Sequence, residues 1–224
     1  MKSFRLIALT ALFCAAPTFA GIVGTGGPTQ LIANPVNQRY GPDAYNIDIA
    51  LYWPERANQT LASDLVVSIL PPPSFPTDTV HVNDNSLSVP QGTVVDSYFI
   101  VWDPQGGSVV ASFHFDDTIV GLITNSRDNN PVDDHFILSD FLIDPAVPAA
   151  NLPPGHFDAR GIEPGNGDFI RWLSPKDIEL HIGASIPGDH IRVITSRGVP
   201  EPASLALLAF AAAALNCRRM RLRR

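Results

Sequence analysis

Ser108-Val109-Val110-Ala111-Ser112-Phe113-His114-Phe115 is the stretch on which the fold turns. Val109, Ala111, Phe113 and Phe115 alternate with Ser108, Val110, Ser112 and His114. Successive side chains of a strand point to opposite faces, so this period of two predicts a strand with one buried face. The same period runs through Ile47, Ile49, Leu51 and Trp53 against Asp48, Ala50 and Tyr52. It returns in Ile178, Leu180 and Ile182 against Glu179 and His181. Further strands are expected over 65–70, 79–82, 93–103, 118–124, 134–138, 168–173 and 190–196. Turn residues separate them: Pro104-Gln105-Gly106-Gly107, Asp116-Asp117 and Pro187-Gly188-Asp189. Of the 21 prolines, 18 lie between Gly21 and Arg197, which leaves no room for a helix of more than two or three turns. Residues 139–143 suit a short helical turn, and 144–166 form a long excursion rich in Pro and Gly. The expected fold is all-β: a single antiparallel β-sandwich or jelly-roll-like domain over 21–198.

Charge is distributed very unevenly. The 224-residue chain carries a formal −7, but all 22 acidic residues and only eight basic ones fall between Gly21 and Ala203, a local net of −14. Phosphate contact needs positive surface, so a nucleic-acid partner is excluded. Cys14 and Cys217 both lie in the apolar ends, so the body holds no disulfide, Cys-ligated zinc or Cys nucleophile.

Residues 1–20 read as a secretory signal peptide for the Sec translocon. Lys2 and Arg5 supply the positive start, 6–16 is an apolar run, and Pro17-Thr18-Phe19-Ala20 provides a break and a small residue before a cut between Ala20 and Gly21. Phe13 before Cys14 is too large for a lipoprotein signal.

At the other end, Val199-Pro200-Glu201-Pro202 precedes an uncharged run of good helix formers over 205–217 and then Arg218, Arg219, Arg221, Arg223 and Arg224. Thirteen helical residues reach about 20 Å, short of the ~30 Å hydrocarbon core. With snorkelling arginines the segment just crosses, and the basic cluster holds its own end in the cytoplasm and the body outside. Pro200 and Pro202 keep the segment outside the bilayer extended, as a protease substrate must be. The expectation is a transient inner-membrane anchor over 199–224, with a short apolar helix.

Val199-Pro200-Glu201-Pro202, apolar run and arginine tail together resemble the PEP-CTERM sorting signal of Gram-negative-type bacteria that make extracellular polysaccharide. The resemblance implies recognition by exosortase, a membrane-embedded transpeptidase-like enzyme, removal of the tail, and release or surface attachment of the body. Residues 96–103, 111–116, 118–124 and 188–195 also resemble a body type seen ahead of such tails, which implies a small β-sandwich of unassigned activity.

Within the body the chemical signals are weak. Asp128, Asn130, Asp133 and Asp134 are hard oxygen donors in one loop and form the calcium candidate. Pro131 interrupts that loop, no glycine allows its sharp turn and no glutamate closes it, so no cofactor is expected. His81, His114, His135, His156, His181 and His190 share no ligand spacing and read as isolated surface residues. Trp53, Trp102 and Trp172 fall in strand patterns and are expected in the core, whereas Tyr40 and Tyr45 read as exposed loop residues. Acid pairs for glycoside hydrolysis are defined only in space; the glutamates are Glu55, Glu163, Glu179 and Glu201, the last inside the sorting motif. No Gly-x-Ser-x-Gly elbow occurs, and Gly24-Thr25-Gly26-Gly27 has no strand before it to make a phosphate loop.

The sequence therefore predicts an exported protein of the cell surface or of a biofilm's exopolysaccharide matrix, cut by exosortase, with a structural or adhesive, non-enzymatic body in contact with extracellular polysaccharide. The alternatives are a carbohydrate- or calcium-binding module and an extracellular glycan hydrolase.

Overall fold

The alternation through residues 108–115 emerges as a strand whose odd-numbered apolar residues are all buried. The structure, a computed structural model, describes residues 21–40, 45, 47–76, 80–81, 86–104, 107–124, 134–153, 161–162, 168–184 and 189–197. The strands are β1 (Ile22–Gly26), β2 (Thr29–Leu31), β3 (Ile47–Thr60), β4 (Leu65–Val67), β5 (Val80–His81), β6 (Leu87–Val89), β7 (Val94–Asp103), β8 (Gly107–Phe115), β9 (Thr118–Ile123), β10 (Phe169–Ser174), β11 (Asp177–Ala184) and β12 (Asp189–Ser196). A short helix, α1 (His135–Ser139), and three 3-10 turns (Pro35–Asn37, Asp140–Leu142 and Ala149–Asn151) complete the described elements.

Two five-stranded sheets pack face to face. One has the order β1-β8-β11-β10-β5 and the other β2-β3-β7-β12-β9, with β4 and β6 as a separate pair. All pairings are antiparallel except β2 with β3. Val109, Ala111, Phe113 and Phe115 of β8 meet Ile170, Trp172, Ile178 and Leu180 of their own sheet and Tyr98, Ile100, Trp102, Ile191 and Val193 of the other. This is the all-β sandwich that the alternation predicts.

The second sheet is buried on its other face as well. There Leu51, Trp53, Phe99, Val101 and Ile194 are covered by Leu65 and Val67, Val89, Tyr40, Phe136 and Leu142. Hence β7 and β12 carry almost unbroken burial rather than alternation. A strand buried on both faces reads as a continuous apolar run.

Several local expectations change. Residues 134–138, expected as a strand, instead supply the N-cap Asp134 and most of α1. Asp134 Oδ1 accepts hydrogen bonds from Phe136 N (2.8 Å) and Ile137 N (3.0 Å), an N-cap that satisfies two orphan amides. Residues 22–26, where the sequence predicts no strand, form β1. At its end Gly27 has φ +80°, and a Cβ there would lie 2.3 Å from the Val110 carbonyl oxygen, so only glycine fits where the chain passes from one sheet to the other. The β3 strand is also longer than its alternation, running 14 residues through bulges around Arg56.

Candidate functional site: the rim where the body begins and ends

Strand register brings the two ends of the body together. Ile22 of β1 pairs with Phe115 of β8, and Ser196 of β12 pairs with Thr118 of β9. Between Phe115 and Thr118 lies the Asp116-Asp117 corner, which links the two sheets. Topology thus places Gly21 and Arg197 at one rim.

The polar contacts at this rim are specific. Gly21 N donates to Asp116 Oδ1 at 2.8 Å, and Asp116 N donates back to Gly21 O at 3.1 Å. Lys176 Nζ donates to the Asp116 carbonyl, while Phe115 N donates to Lys176 O at 2.9 Å. Arg197 Nε donates to Asp117 Oδ2 at 3.2 Å, and its Nη2 lies 3.6 Å from Asp96 Oδ2. Ser196 Oγ donates to Val94 O at 2.9 Å. Burial pushes the Asp96 carboxyl up, against the opposing pull of its hydrogen bond from Asn58 N and of the Arg197 charge. Burial also raises the Tyr98 phenol, and the charges of Asp96, Asp116 and Asp117 add to the effect, so the rim is electronegative.

A groove of about 650 Å³ runs beside β2 and includes Gln30, Ile32, Asn34, Asn37, Arg39 and Tyr45 in its wall. Tyr45 Oη accepts from Arg39 N (2.8 Å) and donates to Asn37 O (2.9 Å), which shapes the wall. Tyr45 N donates to Asp103 Oδ2 at 2.7 Å, so the groove sits at the Asp103 end of β7, whereas Arg197 meets Asp96 at the other. Seven residue steps at about 3.3 Å, about 23 Å in all, separate Asp103 from Asp96 along β7. Amides, a guanidinium and a phenol share the groove wall with the aliphatic Leu31, Ile32, Ala33, Ile47 and Leu51, and its described wall contains no carboxylate.

Glu55, one of the glutamates weighed for acid chemistry, is committed elsewhere. It points to the covered outer face of the second sheet, where Arg192 Nε and Nη2 hold its two oxygens at 2.6 and 2.8 Å. Ser97 Oγ donates to it at 2.5 Å, and both charged side chains are fully buried. Arg192 Nη1 reaches Ser139 Oγ and the Phe136 carbonyl, and Nη2 lies 3.4 Å from Asp140 Oδ1. The guanidinium carbon stands 5.5 Å from the Phe99 ring centre and 5.7 Å from that of Phe136. Burial alone would lower the Arg192 pKa, but the charge and hydrogen bonds of Glu55, with Asp140, outweigh it and raise it. This pair fastens α1 and the following turn onto the sheet.

The predicted site residues divide as follows. Ala20, Val199, Pro200, Glu201, Pro202 and Arg218, Arg219, Arg221, Arg223 and Arg224 lie outside the described residues, as do Asp128, Asn130 and Asp133. Gly21 opens the described body, and Asp134 caps α1. Among the described residues no group of three or more His, Cys, Asp or Glu side chains could hold a metal. No described helix is long and apolar enough to cross a membrane, and the apolar tail is outside that set. The histidines are not uniformly surface residues. His135 and His190 are buried, His114 pairs with Asp177, and His181 stacks on Phe169 with ring centres 4.0 Å apart. Trp53, Trp102 and Trp172 are core residues as expected. Tyr40, expected in an exposed loop, is buried, because its hydroxyl accepts from Trp53 Nε1 at 2.8 Å and its ring packs on Phe99. Nothing local in the sequence distinguishes Asp116-Asp117 from an ordinary turn, since its partners are 95 and 80 residues away.

Residues 198–223 match the model of the PEP-CTERM protein-sorting motif. No curated protein and no solved structure matches the chain. The matched segment begins one residue after Arg197, which stands at the same rim as Gly21, the first described residue. The chain is an exported protein that carries a PEP-CTERM sorting signal for exosortase-type processing behind an all-β body.

Proposed function

We propose that this protein is a structural or adhesive component of the bacterial surface or its polysaccharide matrix, and that the groove beside β2 is where its body contacts polysaccharide. The observation that carries this reading is the groove itself. Its amide, phenol and guanidinium groups suit hydroxyl-rich or acidic sugars, and its described wall has no carboxylate to serve as general acid or nucleophile. Its position adds support. While the tail holds the precursor in the inner membrane, the Gly21–Arg197 rim faces the bilayer and the groove lies toward the opposite end of the strands. Glu55 supports the non-enzymatic reading because Arg192 occupies both its oxygens.

Co-sedimentation of the processed protein with the exopolysaccharide of the producing strain tests this. Binding is expected to fall at least tenfold in Gln30→Ala/Arg39→Ala, with the polymer's chain length unchanged by the protein. Shortened polymer would make the protein a hydrolase instead, and absent co-sedimentation would remove polysaccharide contact from the role of this groove.

A further inference from the structure

We propose that Asp116 is a receptor for the α-ammonium group created when the signal peptide is removed, so that export maturation installs an ion pair at the rim from which the sorting signal departs. The inference rests on the expected cut between Ala20 and Gly21, and it is independent of what the groove binds.

Hydrolysis of the Ala20–Gly21 amide by water, catalysed by a signal-cleaving peptidase, leaves a carboxylate on Ala20 and an ammonium on Gly21. The nitrogen that becomes charged is the one already 2.8 Å from Asp116 Oδ1. Asp116 N in turn donates to Gly21 O at 3.1 Å, which fixes the residue on both sides of its Cα. The corner carries charges of both signs. Asp117 and Asp96 flank the corner and share Arg197, and Lys176 Nζ is directed to the Asp116 carbonyl. Asp116 is the charged side chain bonded to the new terminus, and Asp117, Asp96, Lys176 and Arg197 are the other charged groups of the same rim. A carboxylate bonded to an ammonium makes a stronger hydrogen bond than one bonded to a neutral amide. Before the cut Gly21 N–H is neutral, so the gain appears only on maturation. Arg197 fills the equivalent position on the Asp117 side, at the last described residue before the sorting motif. One acidic corner thus holds both ends of the described body.

The processed chain offers two amines, the Gly21 α-amine and Lys176 Nζ, since the only other lysine is Lys2. The full-length precursor and its Asp116→Asn variant are exported from a secreting host and purified after processing, and intact mass defines the chain start. Trace acetylation across pH, read by mass spectrometry at each amine, then gives the apparent pKa of the α-amine. The wild-type chain is expected to start at Gly21, with an α-amine pKa about one unit or more above the ordinary ~8. Asp116→Asn is expected to return it to that ordinary value. A chain beginning elsewhere overturns the proposal through its premise. A wild-type chain that starts at Gly21 with an ordinary α-amine pKa overturns the ion pair itself, whether or not the variant folds. Polysaccharide co-sedimentation is unaffected by any of these results, so the two readings fail separately.

Discussion

Glu55 and Arg192 show what a single residue costs when it sits in the wrong medium. The pair is fully buried, and each charge is tolerable only because the other is bidentate to it. Glu55→Ala is therefore expected to destabilise the body by about 3–5 kcal/mol, through an uncompensated guanidinium. Chemical denaturation measures this, and the double variant Glu55→Leu/Arg192→Met should recover much of the loss. Little recovery would mean that the pair supplies more than mutual neutralisation. Asp96 behaves in the opposite sense. Its folded pKa is raised, so its charge opposes folding near neutral pH, and protonation relieves that cost as pH falls through the raised value. Asp96→Asn keeps an acceptor for Asn58 N and should stabilise the protein near pH 7, with the advantage fading toward pH 4. Melting curves across that range check the sign. In the sequence, Glu55 follows in phase with Leu51 and Trp53, the side chains of the same covered face. Arg192 lies 137 residues away, and nothing local announced the pairing.

At the scale of elements, the sheets were legible and their cover was not. The alternation through β8 and β11 records one face against a core and one against water, a pattern local in sequence. The segment around Asp134 carries apolar residues that fit a strand as well as a helical turn, and capping geometry decided between them. Asp134→Ala should cost about 1 kcal/mol in denaturant unfolding, whereas Asp134→Asn, also a good cap, should be nearly neutral. Equal losses in both would point away from a cap. The layer over the second sheet has its own close contact: a Cβ on Gly121 of β9 would lie 2.8 Å from Val67 Cγ1 of β4. Gly121→Ala is expected to cost about 1–3 kcal/mol through overpacking, and Val67→Ala in the same chain should relieve part of it.

For the molecule as a whole, the sorting signal and the fold meet at Arg197. Glu201→Ala, or deletion of residues 218–224, is expected to leave unprocessed precursor in the membrane fraction, detected by immunoblot and intact mass. Processed protein of unchanged mass and location in both variants would count against the role of this signal. Export, the sorting motif, the all-β class and the core tryptophans were all written in the order of residues along the chain. Each depends on contiguous or periodic patterns: a proline pair before an apolar run and a basic tail, a repeat of two. The meeting of Gly21 with Asp116, of Arg197 with Asp117, and of Glu55 with Arg192 was decided only by the packed sheets. Antiparallel register brings together residues separated by 80 to 137 positions, and no local propensity encodes a distance of that kind.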